Sequence, residues 1–287
     1  MLTYKIALIL CFLINIQLVL GQNNHHLVDY DLKGNVKSIV IEQYILQEGQ
    51  GKIKIDKNKS IERFPWKNIA RFRIDGTLIS ETGVDYGNSQ IFKLVPEYNR
   101  LGNIVKRKFY SKDNKYKGEG VYYYDQQEEN VLSYQERLLV YEAITGSTIK
   151  EERIIHFKYD SSGNVSHRIE DDNTTTLIYS PDGKVVKRTV NEKKDVIMTV
   201  NYHYDDNGHL IDEESFSRGE PYDTITNTYD SNQFLKTSIR KKKYSISESN
   251  YVNDLEGNWI EKIEYYRRRS DEGLTPIKLI KRDIEYY

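Results

Sequence analysis

The chain has 287 residues, with 42 Lys and Arg against 43 Asp and Glu and a formal charge of −1. So even a balance leaves no electrostatic footprint for nucleic acid or an anionic membrane surface. The single cysteine excludes a disulfide framework and a multi-cysteine zinc site.

In chain order, the first element is a secretory signal. Lys5 supplies the positive start, an apolar run follows from Ile6 to Leu20 with only Asn15 and Gln17 interrupting it, and Val19 and Gly21 give the small-residue cleavage pattern. This reading divides the chain into 1–21, removed on export, and 22–287, the working domain. An uncleaved anchor is the alternative, although the run is shorter than the about 20 apolar residues that span a bilayer. Cys11 lies inside the signal, so the exported product carries no thiol. The expected location is the periplasm, the cell surface or the medium. His25 and His26, at the new N-terminus, are read as a polar tail rather than metal ligands.

From Tyr30 onward a seven-residue template recurs: aromatic, Asp or Asn, two polar residues, Gly, polar, apolar. Four copies are clean, Tyr30–Val36, Tyr98–Ile104, Tyr159–Val165 and Tyr204–Leu210. Phe72–Leu78, Tyr179–Val185 and Asn253–Trp259 are looser, and Tyr110–Tyr116, Tyr124 with Asp125, and Tyr229–Leu235 lack the glycine. The Asp or Asn side chain bonds backbone groups two residues on and starts a turn. Gly34, Gly76, Gly102, Gly163, Gly183, Gly208 and Gly257 supply the conformational freedom that a tight reversal needs. The aromatic before each turn and the aliphatic after it then face each other across two strands.

Segments between turns alternate at period two, as in Thr199–Tyr204 and Ile260–Tyr265. Return turns are read at Asp171–Asn173, Glu192–Asp195 and Ser217–Pro221. Residues 41–70 carry the weakest repeat signal and are assigned an irregular insertion. Glu128–Ile144 fits a helix by pattern, but its continuation through Thr145-Gly146-Ser147 into Ile149–Tyr159 favours a long hairpin. With 24 tyrosines and a mean hydropathy of −0.70, the composition suits pleated, half-wet surfaces. The fold class expected is therefore all-β: an antiparallel β-meander of tandem hairpins forming an elongated or partly rolled sheet.

These Tyr-Asp-x-x-Gly units resemble the YD repeats of the RHS family over most of 27–287. The resemblance implies long antiparallel sheets, a cell-surface or secreted location, and carbohydrate or protein contacts. The chain is too short for the closed shell of the large members, and neither their core segment nor a toxin tail follows the last repeat, so encapsulation is not implied. Glycine-punctuated MORN repeats fit less well.

No Walker A, dinucleotide-binding, Gly-x-Ser-x-Gly or His-Glu-x-x-His motif occurs, and no catalytic residue, metal or cofactor is assigned. His203 and His209 flank a turn with Asp205, Asp206 and Asp212, but acidic turn residues already have a structural reason to be there. Lys241–Lys243 and Arg267–Arg269 read as solvated charges that block edge pairing. The binding candidates are aromatic: Trp259, Tyr202, Tyr204, Tyr265 and Tyr266, suited to a sugar ring or a protein partner. The expected role is a non-enzymatic binding or scaffold surface at the cell envelope, without nucleic acid and without stable membrane insertion. Two alternatives stand beside it, a glycan hydrolase built on paired carboxylates and a small outer-membrane β-barrel.

Overall fold

In the computed structural model the described residues are 30–49, 52–55, 67–85, 89–127, 130–142, 147–270 and 273–287. The signal segment, His25 and His26 lie outside them, as does the Thr145-Gly146 corner. The chain forms β1 (Val36–Gly49), β2 (Lys52–Ile55), β3 (Lys67–Phe72), β4 (Leu78–Val84), β5 (Gln90–Tyr98), β6 (Ile104–Ser111) and β7 (Tyr116–Tyr124). It continues as β8 (Val131–Glu142), β9 (Ser147–Tyr159), β10 (Val165–Glu170), β11 (Asn173–Tyr179), β12 (Val185–Glu192) and β13 (Asp195–Tyr204). The last are β14 (Leu210–Ser217), β15 (Glu220–Tyr229), β16 (Leu235–Lys242), β17 (Ser245–Asn253), β18 (Trp259–Arg268) and β19 (Thr275–Tyr286). The long hairpin expected at 131–159 is present as β8 and β9. The stretch 41–70 contributes most of β1, the short β2 and the start of β3.

From β3 to β19 each strand pairs antiparallel with the next, and β1 pairs with both β3 and β19. Eighteen strands therefore close into a barrel, while β2, among the described residues, pairs with β1 alone. Here the structure goes beyond an elongated or partly rolled sheet. A right-handed twist accumulated over so many hairpins brings the first and last strands together, and closure removes both free edges.

One rim is built from the repeated turns. In Asp205–Leu210, the Asp205 N–H donates to the His209 carbonyl at 2.9 Å and the Gly208 N–H to the Asp205 carbonyl at 2.9 Å. The Asp205 Oδ1 accepts the His209 N–H at 2.7 Å. The same pattern recurs at Asn99, Asp160, Asp230 and Asp254. All seven glycines named from the sequence have φ near +80°, from 78° at Gly34 to 85° at Gly208. In the glycine-less copy Tyr229–Leu235, Gln233 takes that place with φ 65°. The copy at Tyr110–Tyr116 also turns, through Asn114 at φ 54°, but it lies between β6 and β7 on the opposite rim. The other return turns share that rim.

Successive turns interlock. A Cβ at Gly257 would run into the Phe234 ring of the preceding turn, and one at Gly208 into the Lys184 side chain of the turn before it. Both covering residues occupy the polar position of the template, directly after the glycine slot. At the barrel's seam Asn258 occupies that same position and is fully buried. Its Oδ1 accepts the Lys33 N–H at 2.6 Å, and its Nδ2 donates to the Lys33 carbonyl at 3.1 Å and the Tyr286 hydroxyl at 2.7 Å. Tyr286 pairs with Val36 and the Tyr287 N–H donates to the Asn35 carbonyl at 3.0 Å. The seam is thus one more repeat turn, with its aromatic half at the C-terminal end and its Asp-Gly half at Asp31–Asn35.

The pre-turn tyrosines form a second ring. Each hydroxyl donates to the first carbonyl of the strand after the preceding repeat turn: Tyr98 to Leu78 at 2.6 Å, Tyr124 to Ile104 at 2.7 Å, and Tyr159 to Val131 at 2.9 Å. Tyr179, Tyr204 and Tyr229 continue it to Val165, Val185 and Leu210, and Asn253 Nδ2 stands in with Leu235. Tyr204→Phe is expected to lower unfolding free energy by about 1 kcal/mol without changing the fold, read as a shift in denaturant midpoint at constant slope.

The turn carboxylates make the rim acid-sensitive. Backbone N–H groups of Asn164 and Ser162 hold Asp160 below the usual aspartate range, the Thr77 hydroxyl and N–H do so for Asp75, and Lys184 with Ser180 lowers Asp182 to about 2. A depressed carboxyl stabilises the fold above its unfolded value, and that contribution fades as pH falls through the native value. Thermal midpoints are therefore expected to drop between about pH 4 and pH 2, with a shallower slope in Asp160→Asn, whose amide oxygen still accepts.

Candidate functional site: the inner wall

Alternation divides every strand between two faces of the barrel. One face carries Ile39, Ala70, Phe72, Ile155, Phe157, Val165 and Val200, all buried. The other carries Ile91, Tyr123, Ile154, Ile178 and Val252, all exposed. Curvature crowds side chains on the concave side and splays them on the convex side, so the first face lines the interior. The outer face also bears ion pairs, Lys67–Glu42 at 3.2 Å, Lys106–Glu119 at 3.1 Å, Arg137–Glu152 at 3.1 Å and Lys281–Glu261 at 3.5 Å.

Two apolar clusters hold the inner wall near the repeat-turn rim. Leu32, Val36, Ile39, Ala70, Phe72 and Leu78 form the first, at the seam, and Tyr134, Ile155, Phe157 and Val165 the second. Tyr134 leans over Gly120, where a Cβ would strike its ring. Burial pushes the Tyr134 phenol well above its ordinary range, beside Glu136, to which it donates at 2.6 Å.

Polar side chains interrupt this wall, among them Asn68 with Glu81 on β3 and β4 and Arg107 over Tyr122 on β6 and β7, and three larger groups stand out. On β8 to β10, Arg153 lies 3.5 Å from both Glu136 and Glu170, and Arg168 also pairs with Glu170. On β12 to β16, Arg240 holds the buried Asp223 at 2.8 Å. There desolvation raises the Glu213 carboxyl against the pull of Arg188 and Arg240. Charges within each of these two groups balance.

The third group, on β17 to β19, does not. The Arg282 guanidinium carbon sits 3.4 Å from the centroid of the Trp259 ring, and Tyr251 meets that ring edge-on at 6.0 Å. Lys262 lies over Tyr251 at 5.6 Å and pairs with Glu264 at 2.8 Å. Glu264 in turn lies opposite Lys278 across the strand pair. Desolvation holds Lys278 below its ordinary value and lowers Arg282 to about 10. Toward the repeat-turn rim a depression of about 790 Å³ reaches Tyr251, between the turns at Asp230 and Asp254.

The five aromatic candidates are divided by this geometry. Trp259, Tyr202, Tyr204 and Tyr266 share the inner face, and Tyr265, one residue from Tyr266, takes the outer one. Tyr204 is committed to the hydroxyl ladder, and one face of Trp259 is covered by Arg282. His203 is outward beside Glu214 at 3.7 Å, whereas His209 bonds Asp205 within the turn at 3.1 Å, so the two histidines do not converge. Arg282 and Lys278 were missed in the sequence reading. The available signal was a charge on an otherwise apolar alternating row, as in Ile280, Arg282, Ile284 and Tyr286.

No family model and no curated relative matches the chain. Among solved structures it is similar to a porin-like protein from Bacteroides uniformis, at 10% identity over 92% of this chain and 100% of that one, with a TM-score of 0.43. A porin-like protein from Bacteroides vulgatus matches at 9% identity over 88% of this chain and 98% of that one, TM-score 0.32. The TcdB2–TccC3–Cdc42 structure matches at 10% identity over 73% of this chain but 15% of that one, TM-score 0.26.

Proposed function

We propose that this protein is an exported, non-enzymatic repeat barrel of YD type whose polar, aromatic interior binds carbohydrate. The observation that carries the reading is the alternation just described. Arginine, glutamate and tyrosine project into the interior, while the outside bears lysine–glutamate and arginine–glutamate pairs among exposed Ile91, Ile154, Ile178 and Val252. Rings of 16–18 strands leave an aqueous interior, and aromatic faces with flanking hydrogen-bond groups suit sugar rings. Purified without detergent, the protein is expected to remain soluble and to bind oligosaccharides on a glycan array. Absence of binding on a broad array would leave a protein partner or a purely architectural role.

The second reading, a pore in the outer membrane, is favoured by the closed ring of eighteen strands around a polar interior. Its difficulty lies on the outer wall, where Lys67, Lys106, Arg137 and Lys281 would face lipid at about 2–4 kcal/mol each near the bilayer midplane. Conductance steps in a planar bilayer, together with co-sedimentation with liposomes, would establish the pore and displace the soluble receptor.

A further inference from the structure

We infer that the wall formed by Trp259, Arg282, Lys262 and Lys278 is an anion subsite that selects sugars bearing a carboxylate, of the uronic-acid class. The inference rests on the carbohydrate-binding reading above and names the ligand class of that same interior.

Three observations support it. First, the Arg282 Nε and Nη1 groups are buried and have no hydrogen-bond partner among the described residues. Such groups cost free energy unless something accepts from them. A guanidinium presents its N–H groups as a planar fork that matches a carboxylate bidentately. Stacking on Trp259 at 3.4 Å holds that plane fixed, so little ordering remains for a ligand to impose.

Second, charge on this wall is unbalanced. Lys262, Lys278 and Arg282 face the interior with Glu264 as their one inward acid on β18 and β19 and Asp31 of the seam turn acting on Arg282, which leaves three cations against two carboxylates. The register places Lys262 opposite Ile280 and Glu264 opposite Lys278. Lys278, Ile280 and Arg282 therefore lie in one inward row, successive side chains about 7 Å apart. By contrast, the arginines on β9 and β10 and on β16 are neutralised in place by Glu136, Glu170 and Asp223.

Third, the chemistry around the cations suits a sugar rather than a bare ion. Tyr251 meets Trp259 edge-on at 6.0 Å and also borders the rim depression between the turns at Asp230 and Asp254, whose remaining walls include the outward Val252 and the turn tip Leu255. Trp259 and Tyr251 border Arg282 and Lys262 and offer a sugar ring aromatic faces beside those cations, with Lys278 one inward position beyond Ile280.

The test is calorimetric titration of the purified protein with a trimer of galacturonate and, in parallel, with its neutral methyl ester. The acid is expected to bind about tenfold more tightly than the ester, the worth of one charge-assisted contact, and to weaken as salt is raised. Arg282→Gln should remove the preference while leaving ester binding in place, and Lys278→Gln should reduce it in part. Inorganic sulfate should compete with the acid and not with the ester. Equal binding of acid and ester would overturn this inference while leaving the carbohydrate reading intact. Failure of both sugars to bind would remove the two together. An unchanged preference in Arg282→Gln, with its melting curve matching the parent, would assign selectivity elsewhere. If that variant does not fold, Lys278→Gln decides alone, and full retention of the preference there counts against the wall.

Discussion

Removing Thr275–Tyr287 is expected to abolish cooperative folding of the barrel. β19 supplies one side of the seam and carries Leu279 and Ile280, both buried, and its partner Ile39 on β1 is 0% exposed. Unburying three such side chains forfeits about 1.5–3 kcal/mol each, comparable with the whole stability of an ordinary domain. The loss is compounded by geometry, because β1 and β18 become open edges with unpaired backbone groups along their full length. Light scattering should show self-association, and near-ultraviolet circular dichroism should lose its tyrosine signal. A truncated chain that stays dispersed and melts cooperatively would mean that the meander is stable as an open sheet.

The largest single-residue effect is expected at Phe72. Its side chain is 1% exposed, packs with Ile39 and Leu78, and meets Tyr30 edge-on at 5.4 Å. Phe72→Ala should cost about 3–5 kcal/mol, or roughly 10 °C in melting midpoint for a chain of this length. Position matters more than hydrophobicity here. Leu255 is 98% exposed on a turn tip, and Leu255→Ala should leave the midpoint within about 2 °C. Comparable losses in the two variants would show that the seam cluster is not a core.

The turns were legible because they are local. An Asp or Asn followed three residues later by Gly specifies its own hydrogen bonds, and the copies at Asn99, Asp160, Asp205 and Asp254 all make them. Even Tyr229–Leu235 could be recognised through its aspartate, with Gln233 accepting positive φ in the place of glycine. Closure was not legible, since it depends on Val36 meeting Tyr286 and Asn258 meeting Lys33, 225 residues apart. Nothing in Asn258 distinguishes it from Asn164 or His209, which occupy the same template position and whose side chains hydrogen-bond the aspartate of their own turns.

The interior was half legible. Period-two alternation predicted two faces, and the structure has them, but which face is concave follows from the ring and not from any one strand. The tyrosines illustrate the limit. Their abundance was read as rungs and as candidate binding groups, and both uses occur on the same inner face, separated by whether the hydroxyl reaches a neighbour's carbonyl. Arg282 and Lys278 passed unnoticed because β19 carries as much charge on its outer row, at Lys281, Asp283 and Glu285, as on its inner one.

The split turn at the seam has a topological consequence. Since Tyr286–Tyr287 and Asp31–Val36 reproduce, across a chain break, the geometry that covalent repeats achieve elsewhere, where the polypeptide is cut is nearly arbitrary. Joining the two ends through a short peptide and opening the backbone instead between Arg218 and Gly219, at the tip of a two-residue reversal on the far rim, would relocate the termini without changing a single strand neighbour. A circular permutant of that kind should recover the parent's spectrum, and every hairpin in the ring would then serve equally well as first or last.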